Sequence, residues 1–344
     1  MVGEMPELLP QDLQRLPAWM QAHVPGYHGQ LAARLIEGGQ SNPTYRLSAD
    51  SGEYVLRRKP VGHLLPSAHA VDREHRVMAA LAGSAVPVPR VHGYCADDAV
   101  IGSAFYVMDF VEGRILWDPR LPDLNPADRG SVFDSMNQTI AALHSVDPEA
   151  VGLGDFGRPS RFVARQIDRW TKQYRASATG PSPSMEALIS WLPEHLPPEQ
   201  PPRIIHGDYR LDNLILHPTE PRIVAVLDWE LSTLGDPLAD FANHSIVWRI
   251  VPEMFRGLAG VDLPALSIPS EAEYAAAYCR RTGRSGIDHW EFYLAFGMFR
   301  LAAILQGIAK RALDGTAAHP NAAATGAMAG PMSDRAWKVA QGEG

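Results

Sequence analysis

Two short apolar segments, each ending in polar side chains, restrict the fold of this chain more than any other feature. Ile204-Ile205 runs into a polar loop that carries Asp208 and Asn213. Val224–Leu227 ends at Asp228. A short apolar run bounded by turn residues predicts a buried strand. We therefore expect a hairpin-like pair of strands that brings these three polar residues to one edge.

Two carboxylates and one amide in this order are the set that phosphoryl transfer uses. One carboxylate orients the attacking hydroxyl and accepts its proton, while an amide oxygen and the other carboxylate hold Mg²⁺ against a triphosphate. The loop reads H-x-D-x-x-x-x-N, which is similar to the catalytic loop of protein kinases. An ordinary polar turn between two core strands is the alternative, because turns favour Asp and Asn.

The remaining sequence changes from a strand pattern to a helix pattern near residue 113. Alternating segments predict strands in the first third of the chain, at Ala33–Ile36, Thr44–Ser48, Glu53–Arg58, Arg90–Cys95 and Phe105–Phe110. Ser67 is a plausible N-cap for a helix over 67–82. Longer periodic segments predict later helices, over 126–146, 159–176, 184–192, 236–250, 271–282 and 288–313. We assign the α+β class.

Several phrases in a fixed order resemble the aminoglycoside phosphotransferase and choline kinase superfamily. They resemble in particular the kinase-like domain fused to some acyl-CoA dehydrogenases, through GGQSNPTYRL, YVLRRKP, SAHAVDREHRV, FYVMDFVEGR, ALHSVDP, HGDYRLDN and VLDWELSTLGDPLAD. The resemblance covers roughly residues 10–315. It implies a two-lobed, protein-kinase-like fold with a small β-rich lobe and a larger, mostly helical lobe. We expect a helical extension over 1–28, a nucleotide-binding lobe over 29–112, a catalytic lobe over 113–315 and a loosely ordered tail over 316–344.

The resemblance also implies roles for single residues around an ATP and Mg²⁺ site. Asp208 would be the catalytic base, and Asn213 and Asp228 would bind Mg²⁺. Arg210 would reach the transferred phosphate, and His206 would hold the loop in shape. Asp240 is suggested as a brace under the loop, although a carboxylate on the helix surface is the competing interpretation.

A glycine turn at residues 38–42 is expected to approach the nucleotide phosphates. It holds Gly39, Ser41 and Asn42, which the resemblance assigns to the nucleotide site. Glycines let backbone N–H groups approach phosphate oxygens closely. The turn is not G-x-G-x-x-G, and an ordinary hairpin turn remains the alternative.

A cation on the following strand is expected to contact the phosphates. Arg57 stands where kinases place a lysine, and Lys59 is the reserve candidate because both share one face of the strand. Glu74 on the next helix would pair with that cation, unless it faces water.

Residues 105–113 resemble the hinge between the lobes of kinases. There Met108 would line an adenine pocket, and backbone groups of Asp109 and Val111 would hydrogen-bond the base. A plain buried strand predicts the same apolar run.

Composition and charge exclude several other classes of protein. The net charge of −8 and the lack of a basic run argue against nucleic-acid partners. Cys95 and Cys279 have no metal or redox spacing, and the N-terminus lacks a signal-peptide pattern. The apolar segment Leu301–Ala309 is too short to span a bilayer, so no membrane partner is expected. We expect a cytoplasmic monomer or homodimer.

The acceptor is predicted to be a small-molecule hydroxyl, with an acyl-CoA or a hydroxy acid as candidates. From His289 to the C-terminus the sequence has four acidic and five basic residues, a balance that does not favour binding of a polycation. Trp290–Arg311 is aromatic and aliphatic, which indicates either a core helix or a substrate wall. Lys310 and Arg311 are candidates for contacts with CoA phosphates. An aminoglycoside kinase, a protein kinase and a nucleotide-binding pseudokinase that acts through partners are the alternatives.

Overall fold

The N-terminal lobe is built on one antiparallel sheet. The structure, a computed structural model, describes residues 8, 10–36, 42–60, 70–317 and 319–343. The sheet has the strand order β1-β2-β3-β5-β4. Its strands are β1 (Ala32–Leu35), β2 (Thr44–Ala49), β3 (Gly52–Arg58), β4 (Val91–Cys95) and β5 (Phe105–Asp109), and the accompanying helices are α1 (Pro10–His23), α2 (Val71–Leu81) and α3 (Asp98–Ile101).

Alternation along β3 sends its side chains to two different cores. Leu56 packs with Leu16 and Met20 of α1, on the outer face of the sheet. Val55 points to the opposite face and joins the core that continues into the second lobe. Because successive side chains of a strand point to opposite faces, Arg57 lies on the inner face with Val55.

Helices form most of the second lobe. Asn125, Ser182, Asp236 and Ser270 each cap a helix N-terminus through a side-chain oxygen, which fixes where these helices begin. The helices are α4 (Pro126–Ser145), α5 (Phe162–Ser177), α6 (Pro183–Glu194), α7 (Pro237–Ser245), α8 (Pro252–Phe255), α9 (Leu263–Leu266), α10 (Glu271–Thr282), α11 (Trp290–Leu313), α12 (Ala322–Gly326) and α13 (Ala329–Ala340). The predicted two-lobed α+β fold is confirmed.

The expected single hairpin is two separate pairs of strands. The strand β6 (Arg203–Ile205) pairs with β9 (Thr233–Gly235), and β7 (Leu214–Leu216) pairs with β8 (Ile223–Val226). Gly207, at φ +82°, and a 3-10 turn at Leu211–Asn213 carry the chain away from the line of β6. The polar residues therefore lie between the two pairs.

The tail is not loosely held, contrary to the sequence-based expectation. The helix α13 packs against α11 and α6, with Met332, Ala336 and Val339 buried. A Cβ on Gly326 would lie 2.5 Å from the Cα of Ala309, so the short α12 touches α11 backbone to backbone. The small residues that suggested a loose segment instead permit close helix packing.

The helix α11 is longer than the apolar segment Leu301–Ala309 suggested. It has 24 residues and a mean hydropathy of 1.5 in its most apolar window, enough by length and composition to cross a membrane. Within the fold, 61% of that window is buried, as is usual for a core helix.

Candidate active site

The loop between β6 and β7 places the predicted base beside one predicted metal ligand. Asn213 Nδ2 donates to the backbone carbonyl of Asp208 at 2.9 Å and lies 3.3 Å from Asp208 Oδ2. This orientation turns the amide nitrogen to Asp208 and leaves the amide oxygen of Asn213 as the group that can face a cation. The side chains of Asp208 and Asn213 are therefore brought together by the chain reversal between them.

His206 links this loop to Leu227, which lies between the end of β8 and Asp228. Its Nδ1 accepts from the backbone N–H of Asp208 at 3.2 Å, so Nε2 carries the proton and donates to Leu227 O at 2.9 Å. A second link joins the same two segments, from the N–H of Leu227 to Asn213 O at 2.8 Å. The two aspartates of the motif are thus fixed relative to each other through backbone contacts.

Asp240 lies under the loop and is buried. Its two oxygens accept the backbone N–H groups of His206 and Gly207, each at 2.8 Å, and His144 Nε2 lies 3.2 Å away. Burial alone would raise the pKa of Asp240, but the hydrogen bond and charge of His144 and the backbone N–H groups hold it below its ordinary value. The helix-surface interpretation of this carboxylate is therefore wrong.

Arg57 bridges the N-terminal sheet and the catalytic lobe. Its Nη2 donates to Asp228 Oδ1 at 2.8 Å, and its Nε lies 3.1 Å from Glu74 Oε2 as an ion pair. Asp228 has a φ of +64°, an unusual conformation for a residue other than glycine, which turns its carboxylate toward the cleft. Lys59 instead lies 3.9 Å from Asp72 and is half-buried. Of the two candidate cations, only Arg57 reaches the motif.

Glu74 is the buried partner of Arg57. It also accepts from Asn42 Nδ2 at 2.9 Å and from Tyr106 Oη at 3.1 Å. Burial raises the pKa of Glu74 to about 7, although Arg57 opposes the shift. Burial would lower the pKa of Arg57, but the charge of Glu74 and the carboxylates at Asp228 and Glu230 outweigh it and raise that pKa, so Arg57 stays protonated.

Of the glycine turn at residues 38–42, Asn42 is the residue that the structure describes. Its side chain is buried and donates to Glu74, so it supports that carboxylate. Gly39 and Ser41 lie outside the described residues, as does the proposed N-cap Ser67.

One backbone group of the predicted hinge segment is already used within the N-terminal lobe. The N–H of Asp109 donates to Arg90 O at 2.9 Å, so only its carbonyl remains for a base. Val111 follows the end of β5 and is half-buried. Met108 is buried in the core that the two lobes share. The carbonyl of Asp109 and the backbone of Val111 are therefore the groups of this segment that would be available to a base.

A cavity of about 530 Å³ opens on the far side of the loop. Acidic and basic side chains line one end of it, among them Asp208, Arg210 and Arg256. The other lining residues are mostly aliphatic or aromatic and come from α4, the segment 243–250, α11 and α12. The helix α11 is thus both core helix and cavity wall, because Leu301, Ile304, Leu305 and Ile308 face the cavity.

Charged contacts run from Asp208 to the rim of this cavity. Arg210 Nε lies 3.3 Å from Asp208 Oδ1, and its Nη2 lies 3.3 Å from Asp212 Oδ2. Arg256 Nη1 lies 3.0 Å from the same oxygen of Asp212 and covers the ring of Trp117 at 4.6 Å. Arg210 is therefore tied to both carboxylates of the loop.

Sequence reasoning missed Arg300. Its Nη2 donates to the carbonyl of Gly207, the residue before Asp208, at 2.7 Å. Burial lowers its pKa, and the nearby charge of Asp208 opposes that shift. The available signal was a single charged residue within the apolar stretch 292–309 of α11, because a buried charge requires a partner.

The donor set suits Mg²⁺ bound together with a nucleotide. Asn213 and Asp228 supply amide and carboxylate oxygens, which Mg²⁺ prefers. Within the described ranges, no group of three or more His, Cys, Asp or Glu side chains is placed to hold a metal. A site of two protein oxygens needs phosphate oxygens to complete it.

Comparisons with known proteins give consistent matches. The sequence profile of the phosphotransferase enzyme family matches residues 32–295. Acyl-CoA dehydrogenase family member 10 of Mus musculus is 47% identical over 319 residues, which cover 92% of this chain and 30% of the relative. The chain spans less than half the length of the curated relatives it matches first.

Solved structures show the same fold. A Ralstonia eutropha protein, provisionally named an aminoglycoside phosphotransferase, is 51% identical with a TM-score of 0.90, over 96% of this chain and 98% of that one. Spectinomycin phosphotransferase, in complex with ADP and spectinomycin, is 13% identical with a TM-score of 0.61, over 97% and 100% of the two chains.

Proposed function

Since the chain belongs to the phosphotransferase enzyme family, we propose that it transfers the γ-phosphate of ATP to a hydroxyl of an apolar small molecule. The observation that carries the proposal is the cavity beside Asp208, which is charged next to that carboxylate and largely apolar elsewhere. Apolar pockets with a few converging polar groups are the usual sites of small-molecule binding. The acceptor hydroxyl would therefore lie at Asp208, with the rest of the molecule along the aliphatic walls.

The residues divide the reaction between them. Asp208 accepts the proton of the acceptor hydroxyl. At the same time the hydroxyl oxygen forms the new bond to the γ-phosphorus, and the bond from that phosphorus to the departing ADP oxygen breaks. Asn213 and Arg300 orient Asp208 through the contacts at its side chain and at Gly207. Arg210, beside the base, stabilises negative charge on the transferred group.

The nucleotide side is proposed to be the cleft under the sheet. Arg57, fixed by Glu74, would contact the phosphates, and Asn213 and Asp228 would hold Mg²⁺. Bound ATP and Mg²⁺ supply a phosphoryl donor whose charge is partly neutralised. The ADP in the spectinomycin phosphotransferase complex supports a nucleotide at the corresponding place in this fold.

A hydroxyacyl compound is the acceptor that best fits the cavity. Its aliphatic walls match an acyl chain, and the names of the fused relatives point to acyl-CoA chemistry. Phosphate is a better leaving group than hydroxide, so the product would be prepared for elimination or rearrangement. An acyl-CoA thioester and a free hydroxy acid share this chemistry.

An aminoglycoside acceptor fits less well. Of the charged residues that line the cavity, three are acids (Asp208, Asp212 and Glu230) and three are arginines (Arg210, Arg256 and Arg300). Such a balance does not attract a polycation. The pseudokinase alternative is disfavoured because Asp208, Asn213 and Asp228 are all retained and held in place.

Turnover with a panel of acceptors tests the proposal. Purified protein with ATP and Mg²⁺ is expected to phosphorylate hydroxyacyl-CoA thioesters or hydroxy acids, and not aminoglycosides, with the products identified by mass spectrometry. Asp208→Ala should abolish product formation with every acceptor while the protein still binds ATP. Phosphorylation of aminoglycosides alone would contradict the proposed acceptor, and nucleotide binding without transfer to any alcohol would favour the pseudokinase.

A further inference from the structure

We infer that the cavity limits the length of the alkyl segment between the hydroxyl and the terminal methyl group of the acceptor. Ile308 and Thr325 form the end of the cavity at which this segment stops. The inference rests on the proposed function, because it takes Asp208 as the group that meets the hydroxyl. It assigns a specificity role to the C-terminal helices, which lie outside the catalytic motif.

The cavity becomes less polar with distance from the catalytic loop. At its charged end Arg300 contacts the carbonyl of Gly207. Along α11 the following lining residues are Leu301, Ile304, Leu305 and Ile308, all aliphatic. Ile308 lies eight positions after Arg300 in the helix, a distance of about 12 Å at 1.5 Å per residue. An alkyl chain that starts at Asp208 can therefore extend along α11.

The entrance lies at the charged end. The lining residues with the largest exposed fractions are Trp117, at 58%, and Leu231, at 42%, and the Arg256 side chain is 43% exposed. Arg256 is held there by Asp212. A carboxylate or thioester can stay hydrated at this rim, whereas an unpaired charge at the aliphatic end would lose its hydration without compensation. The acyl end of the acceptor is therefore directed outward and the methyl end inward.

The far end is formed by α12 and is tightly fixed. Thr325 lines the cavity, and its neighbour Gly326 is so close to Ala309 that α12 cannot approach α11 further. The buried residues of α13 pack against α11, the other helix at this end of the cavity. A chain that reaches Ile308 and Thr325 therefore meets the end of the cavity.

This orientation corrects the candidate contacts for CoA phosphates. Lys310 and Arg311 follow Ile308 by two and three residues, beyond the end of the cavity. Lys310 Nζ lies 2.7 Å from Asp314 Oδ2. Neither Lys310 nor Arg311 lines the cavity, and both stand at the methyl end. A CoA group on the acyl side would instead lie at the rim near Arg256.

Two series of hydroxyacyl-CoA thioesters separate the two sides of the hydroxyl. In the first series the hydroxyl stays at one distance from the thioester while the methyl side lengthens. In the second the methyl side is constant and the hydroxyl moves away from the thioester. Each methylene added inside the cavity should tighten binding about fourfold, until the chain reaches its end. The second series should show no such step, because its added methylenes stay at the open rim.

Variants at the end of the cavity move the break in the first series. Dissociation constants are measured by calorimetry without turnover, and the break is the chain length at which a further methylene no longer tightens binding. This break should fall at a shorter chain in Thr325→Leu and at a longer chain in Ile308→Ala. Ala324→Leu is the matched control, because Ala324 is the exposed neighbour of Thr325 and the change adds bulk outside the cavity. Thermal unfolding of all four proteins checks that each is folded.

Each outcome decides the inference. It is overturned if the break falls at one chain length in all four proteins, if only the second series shows a break, or if no thioester binds. Turnover of the same compounds is scored separately. If the break moves as expected but no phosphate is transferred, the end of the cavity at Ile308 and Thr325 is supported and the proposed function is contradicted. If phosphate is transferred but no break is found, only the inference is contradicted.

Discussion

The catalytic loop and the cavity beside it are held by different forces. Around the loop, Asp240 binds two backbone N–H groups, His206 joins two segments and Arg300 binds a carbonyl. The cavity walls depend instead on packing of aliphatic and aromatic side chains from separate helices. Directional networks tolerate little change, whereas aliphatic walls accept changes in volume at modest cost. The rate of transfer and the choice of acceptor should therefore respond to different substitutions.

The largest effect is expected at the centre of the loop. Asp208→Asn removes the proton acceptor with little change in volume, and kcat should fall by about three orders of magnitude or more. Nucleotide affinity, measured by calorimetry, should stay within a few-fold. Asp212→Asn is the matched control, because it changes a carboxylate of the same loop that faces Arg210 and Arg256. Equal losses in both variants would contradict the assignment of the base.

Removing the support under the loop should cost stability. Asp240→Asn replaces a buried carboxylate that accepts two backbone N–H groups by an amide with a single acceptor oxygen, and it also removes the partner of His144. Breaking a buried ionic contact of this kind costs about 3–5 kcal/mol of unfolding free energy. Urea denaturation measures it, with the exposed Asp123→Asn as control. A loss below about 1 kcal/mol would mean that the loop does not depend on Asp240.

His244 is an ionisable residue in the cavity wall and should make the fold sensitive to acid. It lines the cavity, its Nε2 lies 2.8 Å from Tyr274 Oη, and burial lowers its pKa to about 4. Because the unfolded chain takes up this proton near pH 6.5, the stability contribution is complete above that pH and is lost as the pH falls through 4. The loss reaches about 3 kcal/mol below pH 4.

Urea denaturation between pH 8 and pH 4 measures this dependence in wild type and in His244→Gln. The variant should have a flatter profile across that range, since it has no group that titrates there at this position. Parallel profiles in the two proteins would contradict a neutral, buried His244.

The smallest effect is expected in the cavity wall. Ile304→Ala should raise KM for a hydroxyacyl acceptor about tenfold, since the truncated side chain loses apolar contacts worth roughly 1–2 kcal/mol. The value of kcat should stay within about twofold, because the loop is untouched. Ile189→Ala, in α6 and away from the cavity, is the control. A fall in kcat with constant KM would remove the distinction between loop and wall.

The sequence allowed prediction of the loop because its chemistry is contiguous. His206, Asp208 and Asn213 lie within eight residues and hydrogen-bond to one another or to Leu227, the residue before Asp228. Arg57 and Lys59 could not be separated, because alternation assigned both to one face. The strand β3 ends at Arg58, so Lys59 no longer follows that alternation.

The cavity could not be predicted because its residues come from distant segments. Trp117, Met136, Ile246, Ile304 and Thr325 meet only after the helices have packed, and each taken singly resembles an ordinary core or surface residue. The tail was misjudged for a related reason. Small residues indicate flexibility in an isolated segment and close packing when a helix lies against them.

A structure of the protein with a non-hydrolysable ATP analogue, Mg²⁺ and a hydroxyacyl-CoA tests the central claim most directly. The account predicts the acceptor hydroxyl within hydrogen-bond distance of the Asp208 carboxylate and the alkyl chain along α11. An acceptor bound outside the cavity, or one whose hydroxyl lies away from Asp208, would contradict it.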